Sequence, residues 1–259
     1  MHNLLINKLE QFTKLSPEDK QVLADVARGR VWVRGAREDI IQEGDKPTCV
    51  NLILKGWACR YKMLPDGRRQ IIAFFVPGDL CDLHVFVLRA MDHSIGALTP
   101  ITFAEISRET LRNIMSDHPR ITEALWWDAL VTVAIQREWT VNLGQRSAFE
   151  RLGHLLCELF LRLRAVGLTQ GNACEFPVTQ TELADATGLT TVHVNRTLQE
   201  LRGEGLIELH GKHLIIPDLE ALETASVFNL NYLHGDHEGS ALDARNGEIG
   251  SAGQRSRGA

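Results

Sequence analysis

Phe176-Pro177-Val178-Thr179-Gln180-Thr181-Glu182-Leu183-Ala184-Asp185-Ala186-Thr187-Gly188-Leu189-Thr190-Thr191-Val192-His193-Val194-Asn195-Arg196-Thr197-Leu198 reads as two short helices joined by one tight turn. Thr179 and Glu182 stand at capping-box spacing, so a helix starts there. Gly188 supplies the turn, and Thr190 is placed to cap a second helix. On that second helix Val194, Leu198 and Leu201 share one apolar face, while Thr191, Val192, Asn195 and Arg196 lie opposite. A short helix with one apolar and one Thr/Asn/Arg face suits the major groove of duplex DNA. Arg196 can bond guanine O6 and N7 in pairs, the commonest specific contact in that groove. Beyond Gly205, two short strands at 206–209 and 214–216 flank His210-Gly211-Lys212-His213, a hairpin wing that can rest on phosphate. The expected DNA-contacting residues are Thr179, Gln180, Thr190, Thr191, Val192, His193, Asn195, Arg196 and Lys212. The bland alternative is a three-helix packing domain that never meets DNA.

Upstream, residues 147–163 form a helix opened by Ser147, with Leu152, Leu155, Leu156, Leu159, Phe160 and Leu163 on its apolar side. Before it, a helix following Pro119 runs to about Leu143. Ala124, Trp127, Val131, Ala134 and Val141 sit along it at three-and-four spacing. That stripe either packs on the chain's own barrel or forms the seam of a two-stranded coiled coil. The 3.5-residue period over about six turns favours the seam.

From Val31 to Ile106 the texture is different. Short β-branched and aromatic runs at 31–33, 39–41, 50–54, 58–61, 71–76 and 101–106 are punctuated by Gly35, Gly44, Gly56, Gly67 and Gly78. This spacing predicts an antiparallel sandwich or barrel, with Pro65-Asp66-Gly67 as a hairpin turn. Residues 3–28 read as helix, restarted at Ser16-Pro17-Glu18-Asp19. The boundaries expected are a sensor barrel over 1–118, a long helix over 119–144, and a winged helix-turn-helix over 145–222. The polar, Gly- and Ser-rich stretch 234–259 reads as a disordered tail.

The composition narrows the function classes. With 259 residues, 44% apolar and 24% charged, the chain has the make-up of an ordinary globular protein. No apolar run approaches the ~20 residues of a membrane span. Residues 1–20 lack a signal-peptide pattern, which points to the cytosol. The net charge is −5, and the segment 146–222 has seven Lys/Arg against ten Asp/Glu. Any DNA affinity therefore comes from a local basic patch rather than from bulk charge. Cys49, Cys59, Cys81, Cys157 and Cys174 show no C-x-x-C pair. They read as buried or indifferent thiols, with Cys174 the candidate redox sensor because its neighbours look like an exposed loop.

A different class, a metal enzyme on a cupin-type barrel, would need clustered inward ligands. The β region offers only His84 and His93. His84 reads as a surface or satisfied core residue, and His234 with His237 lacks companion ligands. A third class, a ligand-sensing protein whose helix-turn-helix only assembles subunits, differs from a regulator in whether it shifts DNA.

Over about 15–219 the chain resembles the cyclic-AMP receptor protein and fumarate–nitrate regulator family (Crp/Fnr). The resemblance rests on Ile41-Gln42-Glu43-Gly44-Asp45, Leu54-Lys55-Gly56, Pro77-Gly78-Asp79-Leu80 and the helix-turn-helix above, in order and spacing. It implies an α+β chain with an N-terminal double-stranded β-helix, a cyclic-nucleotide-binding-like jelly roll. A long dimerisation helix and a C-terminal winged helix-turn-helix follow. It also implies a homodimer that binds promoter DNA and works with RNA polymerase, and it gives Arg196 the family's base-reading role.

Two departures qualify this. Family members that bind cyclic AMP carry Gly-Glu-Leu after the Gly-Asp turn, then an arginine and a small residue that hold the cyclic phosphate. Here the stretches read Cys81-Asp82-Leu83 and His93-Ser94. These five residues are the candidate effector pocket, and the missing arginine argues against cyclic AMP, because a bidentate charged bond is lost. His93 replaces it only when protonated. No cysteine precedes Cys49, so the N-terminal cluster that holds an iron–sulfur centre in oxygen-sensing relatives is absent. In the recognition helix, Thr191 and Val192 stand where many relatives have arginine or serine and then glutamate. No cofactor is expected, and the effector stays unassigned.

Overall fold

The computed structural model describes residues 3–83 and 85–234. His84, His237 and the stretch read as a tail beyond His234 lie outside the described residues.

Two helices open the chain, α1 (Leu4–Leu9) and α2 (Pro17–Ala27). The second starts as the sequence dictates: Ser16 and Asp19 form a reciprocal capping box and Pro17 occupies the first turn. Eight strands follow, β1 (Arg30–Arg34), β2 (Asp39–Ile41), β3 (Cys49–Lys55), β4 (Ala58–Met63), β5 (Arg69–Phe75), β6 (Leu80–Cys81), β7 (Ser94–Ala97) and β8 (Ile101–Ser107). They form two antiparallel four-stranded sheets, ordered β1-β8-β3-β6 and β2-β7-β4-β5. Apart from the β4–β5 hairpin, neighbours in the sheets are not consecutive in sequence, as in a jelly roll. The inner faces of the strands meet in a core that includes Leu52, Ile53, Ile95 and Phe103. β6 and β7 were not read from the sequence, because two residues and a Ser-Ile-Gly-Ala run show no alternation.

Ser107 caps α3 (Arg108–Asp117) and leads to α4 (Pro119–Gln145), 27 residues and about 40 Å long. α4 corrects the sequence reading of the seam. Ala124, Val131 and Ala134 are buried within the chain. Trp127 is half-buried and stacks on Phe12, with ring centroids 6.3 Å apart. Of the stripe expected to face a partner, only Val141 points outward; the rest holds α4 to its own chain. A second stripe one position earlier stays uncovered, with Trp126 60%, Leu130 54% and Val133 51% exposed. Exposed Arg137 and Val141 continue it.

The C-terminal module begins with α5 (Ala148–Val166), capped by the Ser147/Glu150 box. Then come β9 (Thr169–Gln170), β10 (Ala173–Glu175), α6 (Gln180–Thr187), α7 (Thr191–Gly203), β11 (Glu208–His210), β12 (His213–Ile215) and α8 (Leu219–Ala225). The module runs past the expected end at 222. Residues 226–234 fold back along α5 and α4. Ser226 crosses α5 where a side chain at Gly153 would place its Cβ 2.0 Å from the serine Oγ, so only glycine admits the crossing. Tyr232 stacks on His154 and donates to Glu158 Oε2 at 3.2 Å.

The roll and the C-terminal module are joined by a shared apolar cluster that includes Trp57, Phe74, Trp139, Leu156 and Phe176. Beside it lies a buried ion network. Lys8 Nζ meets Asp79 at 2.8 Å and Asp128 at 2.7 Å, and Arg162 meets Asp79 at 2.8 Å and Glu158 at 3.2 Å. The network ties α1, the turn before β6, α4 and α5 at one point. Burial pushes the Asp79 carboxyl up, but the charges of Lys8 and Arg162 outweigh it and hold it below the ordinary carboxylate range.

Candidate nucleic-acid interface

The helix-turn-helix is built locally, as its sequence requires. Thr179 accepts the Glu182 amide at 3.3 Å while Glu182 accepts the Thr179 amide at 2.7 Å, which fixes the start of α6. Gly188 takes φ +67° to end it, a conformation that strains any residue with a Cβ. Two residues later Thr190 accepts the His193 amide at 3.2 Å and opens α7. Val194, Leu198 and Leu201 are buried under α7. Thr191, Val192 and Arg196 are exposed, Val192 at 79%. The exposed face is held rigidly because the opposite face is anchored.

The remaining expected contacts fall on the same side or beside it. Thr179, Gln180 and Thr190 are exposed at the two helix starts, and His193 is half-buried. Asn195, expected free to read a base, donates its amide to Gln180 Oε1 at 3.1 Å. That bond ties the two helices together and uses one of its two amide hydrogens. The wing hairpin pairs β11 with β12, Leu209 opposite Leu214, and its tip carries exposed Lys212 after Gly211 at φ +59°. The inner wing strand continues into β10 and β9, so the wing is the edge of a four-stranded sheet.

α6 also touches the roll. Arg69 Nε donates to Asp185 Oδ2 at 2.8 Å, and Gln70 donates to the Ala186 carbonyl at 3.2 Å. Sequence reasoning missed these contacts, since nothing local marks residues 116 positions apart as neighbours.

Inside the roll, Cys81, Leu83, His93 and Ser94 are buried, and Asp82 is nearly so. His93 Nε2 lies 2.8 Å from Asp82 and its Nδ1 2.6 Å from Asp92, while Arg60 also bonds Asp82. Burial raises the Asp82 carboxyl, but His93 and Arg60 more than offset this, so it is held ionised. A cyclic phosphate here would meet two carboxylates around the one imidazole, with Arg60 already engaged. The residues present do not fit that group. Cys174 is likewise corrected: it lies buried on β10, paired with Leu214, and burial pushes its thiol up to about 11. That environment suppresses the thiolate a redox sensor needs.

Comparison with known proteins agrees with this geometry. A family model described as "Cyclic nucleotide-binding domain" matches residues 34–118, and one described as "Crp-like helix-turn-helix domain" matches 150–225. The chain is 30% identical over 195 residues to "Transcriptional activator protein FnrL" of Cereibacter sphaeroides, covering 72% of this chain and 76% of that one. It is 31% identical over 186 residues to a "Probable transcriptional activator" of Rhizobium leguminosarum bv. viciae, covering 71% and 76%. Among solved structures, "The Structure of FixK2 from Bradyrhizobium japonicum" superposes with a TM-score of 0.67 at 23% identity, covering 75% of this chain and 96% of that chain. The metal-enzyme alternative finds no support among these relatives. Roll, long helix and winged helix-turn-helix occur here in the order these proteins share, and the chain belongs to the Crp/Fnr family of transcriptional regulators.

Proposed function

We propose that two copies of this chain bind a two-fold promoter site, read it with α7 and control transcription together with RNA polymerase in the cytosol. The observation that carries this reading is the pairing on α7 of an anchored apolar face with an exposed Thr191/Val192/Arg196 face. Arg196 reads a guanine in each half-site, and Val192, lacking any polar group, packs on a thymine methyl. Thr179, Gln180, Thr190, Thr191 and His193 position the helix against the backbone, as does Lys212 from the wing. Asn195 keeps Gln180 in place through their mutual bond.

The copies associate through Trp126, Leu130, Val133, Arg137 and Val141. Uncovered positions recurring three or four residues apart along one face, here at intervals of four, three, four and four, form the kind of stripe a two-stranded helical seam uses. No helix of the described residues is long and apolar enough to cross a membrane. The roll responds to neither a cyclic nucleotide nor an iron–sulfur centre. Footprinting on fragments recovered by genome-wide mapping of the bound DNA tests the proposal. It predicts protected half-sites about one helical turn, ~34–36 Å, apart. Protection of a single half-site by one copy would contradict it.

A further inference from the structure

A cavity at the junction of the roll and the C-terminal module does not coincide with the residues the family uses for its effector. It measures about 340 Å³ and lies between α1, β5, α4, α5 and residues 230–233. None of Cys81, Asp82, Leu83, His93 or Ser94 lines it. We propose that this junction is a binding site for a small amphipathic acid, one carboxylate on an apolar body, and that the acid regulates DNA affinity.

Three features carry the proposal. The first is size: the volume falls in the range of small-molecule pockets. It equals about eleven waters at ~30 Å³ each, the bulk of roughly ten to twelve non-hydrogen atoms.

The second is chemistry. The inner wall is apolar, formed by Phe12, Phe74, Phe75, Val131, Ile135 and Leu233. Of the charged groups on the wall, Lys8 and Arg162 are matched by Asp79 and Asp128, and Arg60 is matched by Asp82. Arg164, at the exposed rim, makes no ion pair within 4.0 Å among the described residues, though its charge is felt by Glu223. It is the cation available to a ligand's carboxylate. A neutral apolar molecule would leave it unused, and a cation would be repelled by it.

The third is position. The wall includes the roll (Phe74), the long helix (Ile135), the first helix of the DNA-binding module (Arg162) and the C-terminal segment (Leu233). A molecule seated there touches every part whose relative placement sets where α7 points. A ligand that fits one placement of these parts better than another is linked to operator binding by the same factor in both directions. Only this last step rests on the regulator reading; binding itself is measured without DNA.

The experiment is calorimetry on the full chain with octanoate and 4-phenylbutyrate, against octan-1-ol and 4-phenylbutan-1-ol. Saturable binding of the acids is expected, about two- to fivefold tighter than the alcohols, the gain a solvent-screened ion pair at an exposed rim gives. Arg164→Gln, an exposed change, should weaken the acids by that factor and leave the alcohols unchanged. Ile135→Trp fills the cavity and should remove both. The acids should also shift affinity for an operator fragment. No saturable acid binding, equal acid and alcohol affinities, or acid binding unaffected by Arg164→Gln would overturn the site. Tight acid binding with unchanged operator affinity would overturn its regulatory role.

Discussion

Replacing Lys8 by Met tests how the parts of the molecule are held together. Lys8 Nζ sits 2.8 Å from Asp79 and 2.7 Å from Asp128, and both carboxylates are buried. Met matches the length of the lysine stem but removes the charge. Asp79 then keeps Arg162 and the Val76 amide, and Asp128 loses its ion-pair partner. Breaking a buried pair by deleting one partner costs about 3–5 kcal/mol, mostly from the charge left behind. For a chain of this size each kcal/mol moves the melting temperature by roughly 2–4 °C, so a loss of roughly 6–20 °C is expected. Scanning calorimetry at neutral pH measures it. Adding Asp128→Leu removes the orphaned charge, so the double variant should recover most of the loss. The sign with pH also follows. Asp79 is depressed below its usual 3.8, so its stabilisation is present at neutral pH and disappears as pH falls through that depressed value. The gap between wild type and Lys8→Met should close in the same window. A single variant melting within about 2 °C of wild type would refute the network's role.

Three further outcomes are expected. Leu130→Glu places a charge on the uncovered stripe of both copies and should give a well-folded monomer by light scattering. Val131→Glu should instead lower the melting temperature, because Val131 is buried within one chain; a dimer unchanged by Leu130→Glu would rule out this seam. Cyclic AMP should show no sub-micromolar binding by calorimetry, since the phosphate position is occupied by the His93–Asp82 pair; a tight isotherm would contradict that. Lys212→Ala in the wing should weaken binding to all DNA alike and reduce the salt dependence by about one ion; a loss confined to one base pair would show that it reads sequence.

What was legible in the sequence was what local chemistry writes. The boxes at Ser16, Ser147 and Thr179, the Gly188 turn and the apolar face of α7 all depend on residues within one or two turns of each other. Six of the eight roll strands declared themselves by β-branched runs between glycines. The seam was misread because α4 carries two apolar stripes one position apart, in the neighbours Trp126-Trp127, Leu130-Val131 and Val133-Ala134. Periodicity alone cannot decide which stripe the chain covers itself; packing against α1, β5 and α5 decides it. Cys174 looked exposed from its Gly171-Asn172 neighbours, yet pairing with Leu214, forty residues on, buries it. The Lys8–Asp79–Asp128–Arg162 network spans most of the chain and leaves no local trace. The Asn195–Gln180 bond was missed for a smaller reason: both residues were correctly placed on the DNA side, but not as partners.

The central claim, that α7 reads DNA through Arg196, is tested most directly by selecting binding sites from a random duplex pool with wild type and with Arg196→Ala. Wild type is expected to enrich a two-fold motif with one guanine per half-site. Arg196→Ala should lose discrimination at that base pair alone, with an affinity cost of roughly 1–3 kcal/mol on the selected site. If both proteins enrich the same motif with equal stringency, Arg196 contacts no base and the placement of α7 in the major groove is wrong.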